Sequence, residues 1–363
     1  MPLLPIAGHQ PVRARLLDAV NAGRLPQVLL LSGPPGVGRQ RLALWLAQAV
    51  LCRTPESRPC GRCRDCRLVL DLAHSDLHWF VPIARPKATD PARQVDEAAE
   101  AIAEIMAERR AQPLYAPPDG MASHSIATVR LLQRRASLTA VEGGARIFIL
   151  GDAERLVAQE SNQEAANALL KLLEEPPPGT VFILTAVDSR RLLPTMRSRA
   201  VAIRLGRLSD AEVRDFLGAN LSPPLDAPAL EARVALAGGA IGAAVAAGDD
   251  AGKAQQAASQ WLEAILEGRG SGLERAMRQP AWSARGEFTA LLDALSDTLG
   301  EAVRGAMGET VRRPVPTALL RYRSPARLLD ALGRIATTRE AAHGNVNPQI
   351  LLAVLGEDLA EVL

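Results

Sequence analysis

What this sequence lacks narrows its class before any motif is read. Acidic and basic side chains nearly cancel, 42 Lys+Arg against 40 Asp+Glu, and a net charge of +2 gives no support to a strongly basic nucleic-acid binder acting alone. A local basic patch stays compatible with that balance. No stretch remains free of charged residues for the roughly 18 positions a membrane span needs, so no membrane helix is expected. The opening "MPLLPIAGHQ" lacks the basic start and continuous apolar run of a secretion signal, which points to the cytoplasm. Lysine is nearly absent: only Lys87, Lys171 and Lys253 occur, and Arg carries almost all the positive charge. Cysteine is absent outside one short block. What is present is length: 363 residues exceed one core at about 100–200 residues per domain, so two or three domains are expected.

The cysteine block reads "CRTPESRPCGRCRDC", with Cys52, Cys60, Cys63 and Cys66 spaced C-x₇-C-x₂-C-x₂-C. A disulfide framework does not suit a cytoplasmic chain, whereas two overlapping C-x₂-C pairs aim thiolates at one tetrahedral Zn²⁺. Four protein ligands leave no position for water, so the expected metal is structural. The competing reading is a set of free or redox-active thiols; a thioredoxin-like motif would need only two of the four. Arg58, Arg62, Arg64 and Arg67 interleave the block and would offset the charge of four thiolates.

The stretch "LLLSGPPGVGRQRLA" lies where an apolar strand, Val28–Ser32, should turn into a helix over 39–50. A working phosphate loop reads G-x-x-x-x-G-K-[ST], with Lys on the β/γ-phosphates and a hydroxyl on Mg²⁺. Here Gly33, Gly36 and Gly38 are kept, but those two places hold Arg39 and Gln40. A broad guanidinium is not equivalent to a slim ammonium, and Gln40 has no hydroxyl to give. A second buried strand, 147–150, ends in Gly151-Asp152, where a magnesium-binding acid would sit. The adjacent acid that would polarise water is missing, and Glu154 comes one place too late. The loop is therefore expected to be a structural turn without ATP binding, although Gly36 and Gly38 leave room for backbone N–H groups to face an anion.

Strand candidates at 77–81, in "TVFILTA" and at the end of "DSRRLLPTMRSRAVAIRL" alternate with helices over 126–138 and 161–175. This alternation predicts a mostly parallel, doubly wound sheet. The second of those helices carries a Ser161/Glu164 capping box, a Leu169/Leu172/Leu173 face and a stop at Pro176. An interruption over about 84–123 contains "VDEAAEAIAEIMAERR", in which Val95, Ala98, Ala99, Ile102 and Met106 share a helical face. It reads as a surface insertion or a partner-binding helix. After Leu205 strands cease. A helical stretch over about 208–247 closes with a glycine run from Gly238 to Gly242, and further helices follow from about 250. Their faces are Phe288/Leu291/Leu292/Leu295/Leu299 and Leu328/Leu329/Leu332/Ile335, with caps at Ser324-Pro325 and Asn347-Pro348.

Several motifs together resemble the AAA+ clamp-loader family of bacterial DNA polymerase III, and within it the delta-prime group. They are "GRLPQVLLLSGPPGVGRQRLA", the cysteine spacing, "ANALLKLLEEPPPGTVFILTA", "LLPTMRSRA" and "NVNPQILL", spread over nearly the whole chain, with 84–123 as the main departure. The resemblance implies an α/β then all-α architecture. An AAA+-like P-loop domain, 1–206, would carry a zinc module at about 52–66, followed by a small helical lid domain, 207–248, and a helical collar domain, 249–363. The catalytic gamma/tau group has an intact loop, so Arg39 and Gln40 mark the non-motor branch. The family's Ser-Arg-Cys motif, whose Arg reaches a neighbour's ATP, appears here as Ser198-Arg199-Ala200. Arg199 is the implied arginine finger; otherwise it is an ordinary surface arginine. Arg197 would point to the same side if the segment were extended. The implied partners are gamma/tau and delta subunits in a hetero-oligomer, with the sliding clamp and primed DNA reached through it. Two rival readings are an active gamma/tau-like ATPase using Arg39 in place of Lys, and a zinc-dependent nucleic-acid-binding protein whose Arg-rich block touches phosphates.

Overall fold

The computed structural model describes residues 3–4, 6–112, 122–142, 144–156, 163–221, 223–246, 249–268, 274, 276–277, 286–311, 315–322, 324–342 and 346–363. By internal contacts the chain divides into two compact units, Met1–Leu225 with Gly239–Val245, and Asp226–Gly238 with Ala246–Leu363.

The first unit is built on five strands: β1 (Val28–Ser32), β2 (Leu77–Phe80), β3 (Arg146–Leu150), β4 (Thr180–Ala186) and β5 (Val201–Arg204). They lie in the order β2-β3-β4-β1-β5, and every neighbouring pair is parallel. β1, β3 and β4 are buried along their whole length, as continuous apolar runs covered on both faces must be. Alternate residues of these strands feed two cores. Leu29, Leu31, Ile147, Ile149 and Ile183 pack with Leu16 of α1 (Gln10–Asn21), Leu42 and Leu46 of α2 (Arg39–Leu51) and Val69 of α3 (Arg64–Leu70). On the other face Leu30, Phe80, Phe148 and Phe182 pack with α4 (Pro91–Ala111), α5 (Ile126–Ala136) and α6 (Gln163–Glu174).

Both ends of the interruption meet: Ile83 and Ser123 form an antiparallel bridge, each N–H donating to the other's carbonyl at 3.2 and 2.9 Å. Its helix, α4, starts earlier than the apolar period predicts, because Asp90 caps it by accepting from the Arg93 N–H at 2.9 Å and Pro91 follows at the first position. Val95, Ala98 and Ile102 are buried on the sheet, so α4 is part of the core rather than a loose surface helix. The expected Ser161/Glu164 capping box lies outside the described residues. After β5, α8 (Asp210–Asn220) opens with a Ser209/Glu212 capping box; α7 (Pro194–Arg197) is the short turn before β5.

The second unit is entirely helical among the described residues. It comprises α9 (Ala227–Ala237), α11 (Asp249–Leu266), α12 (Gly286–Ala306), α13 (Thr317–Tyr322), α14 (Pro325–Ala341) and α15 (Pro348–Val362), while α10 (Ile241–Ala246) begins in the first unit. Trp261, Phe288, Leu291, Leu295, Leu328, Ile335, Leu352, Leu355 and Leu359 form its core. Leu329, expected on that face, is 55% exposed. It stands one residue, about 100°, from Leu328, too far round a helix to share its stripe. No helix among the described residues is long and apolar enough to cross a membrane.

Candidate functional site

The carboxyl ends of β1, β3 and β4 gather the degenerate loop, the Gly151-Asp152 corner and Val187, the edge where open α/β sheets bind ligands. Gly36 and Gly38 adopt φ of +77° and +95°, backbone that strains an L side chain, which is why glycine stands there. The loop is covered. The Gly36 carbonyl accepts from the Gly242 N–H at 2.9 Å, and a Cβ on Gly242 would lie 2.6 Å from Gly36 Cα. Thus the glycine run that closes the helical stretch packs backbone to backbone against the loop. His9 donates from Nε2 to the Val37 carbonyl at 2.7 Å on the loop's other side.

Arg39 and Gln40 begin α2, and both turn to Asp152. Gln40 Nε2 donates to Asp152 Oδ2 at 3.1 Å, and Arg39 Nη2 faces Oδ1 at 3.7 Å. The Asp152 N–H donates to Thr185 Oγ1 at 3.0 Å, fixing the corner to β4. Burial lowers the Arg39 guanidinium from its ordinary value, and Asp152 and Glu154 oppose that shift. Both oxygens of Asp152 therefore face the side chains that stand where a working loop has Lys and Ser/Thr, and neither side chain offers the ammonium or hydroxyl that a magnesium-bound nucleotide takes there. Glu154 does not fill the missing acid's role: it is buried, its Oε1 accepts from the Val187 N–H at 2.8 Å, and burial raises its carboxyl.

Sequence reasoning missed Arg109 and His124 at this corner, and the influence of Arg109 on Arg41. Arg109, near the end of α4, is 1% exposed, lies 4.0 Å over the Trp79 ring and donates from Nη1 to Gln40 Oε1 at 3.4 Å. His124 is buried and donates from Nε2 to the Gly151 carbonyl at 2.7 Å, its ring pushed down to about 4 chiefly by burial. Burial, with Arg109 as a like charge nearby, takes Arg41 down to about 10. A lone Arg after an apolar stripe offered no signal that it turns inward.

The cysteines converge. All four Sγ atoms lie within 4.8 Å of one another, and those of Cys52 and Cys63 are 4.0 Å apart. A tetrahedral site with Zn–S of about 2.3 Å has edges of about 3.8 Å. Cys52 caps the end of α2; Cys63 caps the start of α3, its sulfur accepting from the Cys66 N–H at 3.4 Å. Backbone N–H groups of Arg62 and Cys63 bring the Cys60 thiol down to about 6, while burial pushes that of Cys66 up. The cluster can hold a metal ion, and its four thiols are compatible with structural zinc. Arg64 does not face the sulfurs: it reaches Glu142 at 3.0 Å, beside Arg53, which bridges Glu142 and Asp65 at 2.7 and 2.8 Å.

Arg199 sits in the turn after α7, exposed. Its guanidinium donates to the Thr195 carbonyl at 2.7 Å and pairs with Glu174, of the LLEEPP helix α6, at 2.5 Å. The segment is not extended: Arg199 and Ala200 donate to Met196 and Arg197 carbonyls, so the argument that Arg197 shares its side does not apply.

The family profile described as DNA polymerase III, delta subunit, matches residues 8–209, more than half of the chain. DNA polymerase III subunit delta' of Escherichia coli is 27% identical over 356 residues, covering 95% of this chain and 92% of that one. The subunit delta' of Pseudomonas aeruginosa is 31% identical over 211 residues, covering 58% and 52%. DNA polymerase III subunit gamma/tau of Mycobacterium tuberculosis is 29% identical over 195 residues, covering 53% of this chain and 27% of its own. With that profile over the sheet unit and the E. coli match nearly end to end, the chain belongs to the DNA polymerase III delta-prime subunit family.

Proposed function

We propose that this chain is a non-motor subunit of the DNA polymerase III clamp loader. It assembles with gamma/tau and delta subunits and supports loading of the sliding clamp onto primed DNA. The observation that carries this reading is the capture of Asp152 by Gln40 and Arg39. A carboxylate already paired with a buried guanidinium and an amide donor is a poor ligand for Mg²⁺, and without metal the charge of a leaving γ-phosphoryl is not offset. Zinc at Cys52, Cys60, Cys63 and Cys66 stiffens the segment between α2 and α3. Residues 1–206, 207–248 and 249–363 serve as AAA+-like, lid and collar domains, in the cytoplasm.

Arg199 acts in trans. A guanidinium is always charged and forked, suited to charge spread over phosphate oxygens, and the exposed Glu174 pair holds it at the surface until a neighbour's nucleotide replaces the carboxylate. The test is ATP turnover, measured on the purified chain and on complexes reconstituted with gamma/tau and delta. The isolated chain should be silent, and complexes containing it should be clamp- and DNA-stimulated. Turnover by the chain alone, lost on Gly38 substitution, would instead identify a gamma/tau-like motor. DNA binding by the chain alone with a steep salt slope would favour the zinc-dependent nucleic-acid binder.

A further inference from the structure

We propose that α4 is an internal closure of the degenerate nucleotide site, with Arg109 as the residue that holds it shut. The inference rests on the non-motor reading and gives the insertion a part in it. α4 is anchored on the sheet by Val95, Ala98 and Ile102, so its last turn is carried to the β2 edge, where the Arg109 guanidinium stacks 4.0 Å over Trp79. From there Nη1 donates to Gln40 Oε1 at 3.4 Å, and Gln40 Nε2 donates to Asp152 Oδ2 at 3.1 Å. The amide of Gln40 is thus an oriented relay, its oxygen toward a cation and its nitrogen toward an anion. Reversing it would set donor against donor and acceptor against carboxylate.

The chain that re-enters the sheet unit also holds the corner. Immediately after the Ile83/Ser123 bridge, His124 donates to the Gly151 carbonyl at 2.7 Å, and the Arg155 guanidinium holds the Ala122 carbonyl at 3.0 Å. The Gln40 amide packs directly on the Gly151 backbone: a Cβ there would meet it at 3.0–3.2 Å and push it aside. Asp152 itself sits at φ +49°, a conformation Asp tolerates better than most residues but which needs surrounding contacts to persist. Gln40, Arg39 and Thr185 supply those contacts, and Arg109 orients the first of them. Restoring Lys at position 39 alone therefore leaves the site closed, since Arg109 still sets the Gln40 amide on Asp152 and His124 still holds the Gly151 carbonyl.

The experiment uses the full-length chain and MgATP as the calorimetric titrant. Arg39→Lys, which keeps the Gln40 relay, should bind no better than wild type. Adding Arg109→Met, which keeps an apolar stem against Trp79 and releases the Gln40 amide, should bring saturable binding at least about tenfold tighter than Arg39→Lys alone. Equal binding by the single and double variants, with the double folded by circular dichroism, would overturn the proposal. If the double variant does not fold, the single Arg109→Met variant decides by amide hydrogen exchange. Faster exchange at 36–40 and 151–152 than in wild type supports the closure, and unchanged exchange overturns it. Tight MgATP binding and turnover by the wild-type chain would be a different failure, that of the non-motor reading itself.

Discussion

Arg199 is poised rather than buried: its ion pair with Glu174 is exposed, and such pairs contribute only about 0–1 kcal/mol. Glu174→Gln should therefore leave the melting temperature of the chain unchanged, and reconstituted complexes should hydrolyse ATP at least as fast as wild type. Arg199→Ala should lower complex ATPase only in part, although a finger can be worth roughly 10³–10⁵ at its own site, because one of several sites faces this chain. Arg199→Lys should be nearly as poor, since an ammonium cannot reproduce the fork. Steady-state ATPase of assembled complexes, with assembly checked first, decides both; unchanged rates with Arg199→Ala would return it to an ordinary surface arginine. The cysteines carry a second expectation. Elemental analysis of protein purified without added metal should find about one zinc per chain. Loading the metal-free protein at pH 7 should release fewer than four protons, because Cys60, at about 6, is already largely thiolate. Calorimetry in buffers of different ionisation enthalpy measures that number, and release of all four would contradict the backbone N–H contacts described for Cys60.

At the scale of elements, the strands were the most legible feature and the reason is physical. β1 and β4 match their apolar runs residue for residue, because a strand buried on both faces must be apolar throughout and ends where a glycine or polar turn begins. α4 was legible in its apolar face but not in its start, since the signal there was the Asp90-Pro91 cap rather than periodicity. Strand order, and the meeting of Gly36 with Gly242 or of Arg109 with Gln40, was not legible. These contacts join positions far apart in the chain, 69 residues for the last, and no local pattern encodes them. Arg39, Gln40 and Asp152 were readable as losses of catalytic groups, yet not as one another's partners. The strand and helix termini also predict a pH response. Burial, first of all, brings His78 and His124 down to about 4 from 6.5, so both rings are neutral in the fold. Below pH 6.5 the unfolded chain takes up protons that the fold refuses, so stability holds above that value and falls toward pH 4. The loss for the pair is of order a few kcal/mol, since each tenfold difference in proton affinity between fold and unfolded chain is worth about 1.4 kcal/mol. Urea midpoints followed from pH 7.5 to 4.5 should show it, and His124→Asn should remove part of the slope. An identical slope in that variant would mean the ring is hydrated in the fold.

On the whole-molecule scale, the two units pose different questions, one of chemistry and one of assembly. In the helical unit Ile350 and Val354 are 58% and 55% exposed and four residues apart, an apolar pair on one side of α15, which buries Leu352, Leu355 and Leu359 on the other, and Val346, 44% exposed, precedes the helix. If 249–363 is a collar, Ile350→Glu/Val354→Glu should leave thermal unfolding within about 0.5 kcal/mol of wild type, as exposed substitutions do. The same variant should fail to co-elute with gamma/tau and delta in size-exclusion chromatography, and normal co-elution would remove this pair from the assembly surface. The Ile83/Ser123 bridge has a consequence for how such a chain can change over time. Because the backbone leaves and re-enters the sheet unit at one hydrogen-bonded point, the segment between behaves as a cassette, and neighbouring strands keep their register whatever its length. Tethering the ends of roughly forty residues costs about 3 kcal/mol of chain entropy, against much less for a two-residue turn. A lineage, or an engineer, that excises the cassette or splices in another keeps the seam but must also refill the sheet face that Val95, Ala98 and Ile102 cover, and what changes with the exchange is whether the corner at Asp152 has a lock.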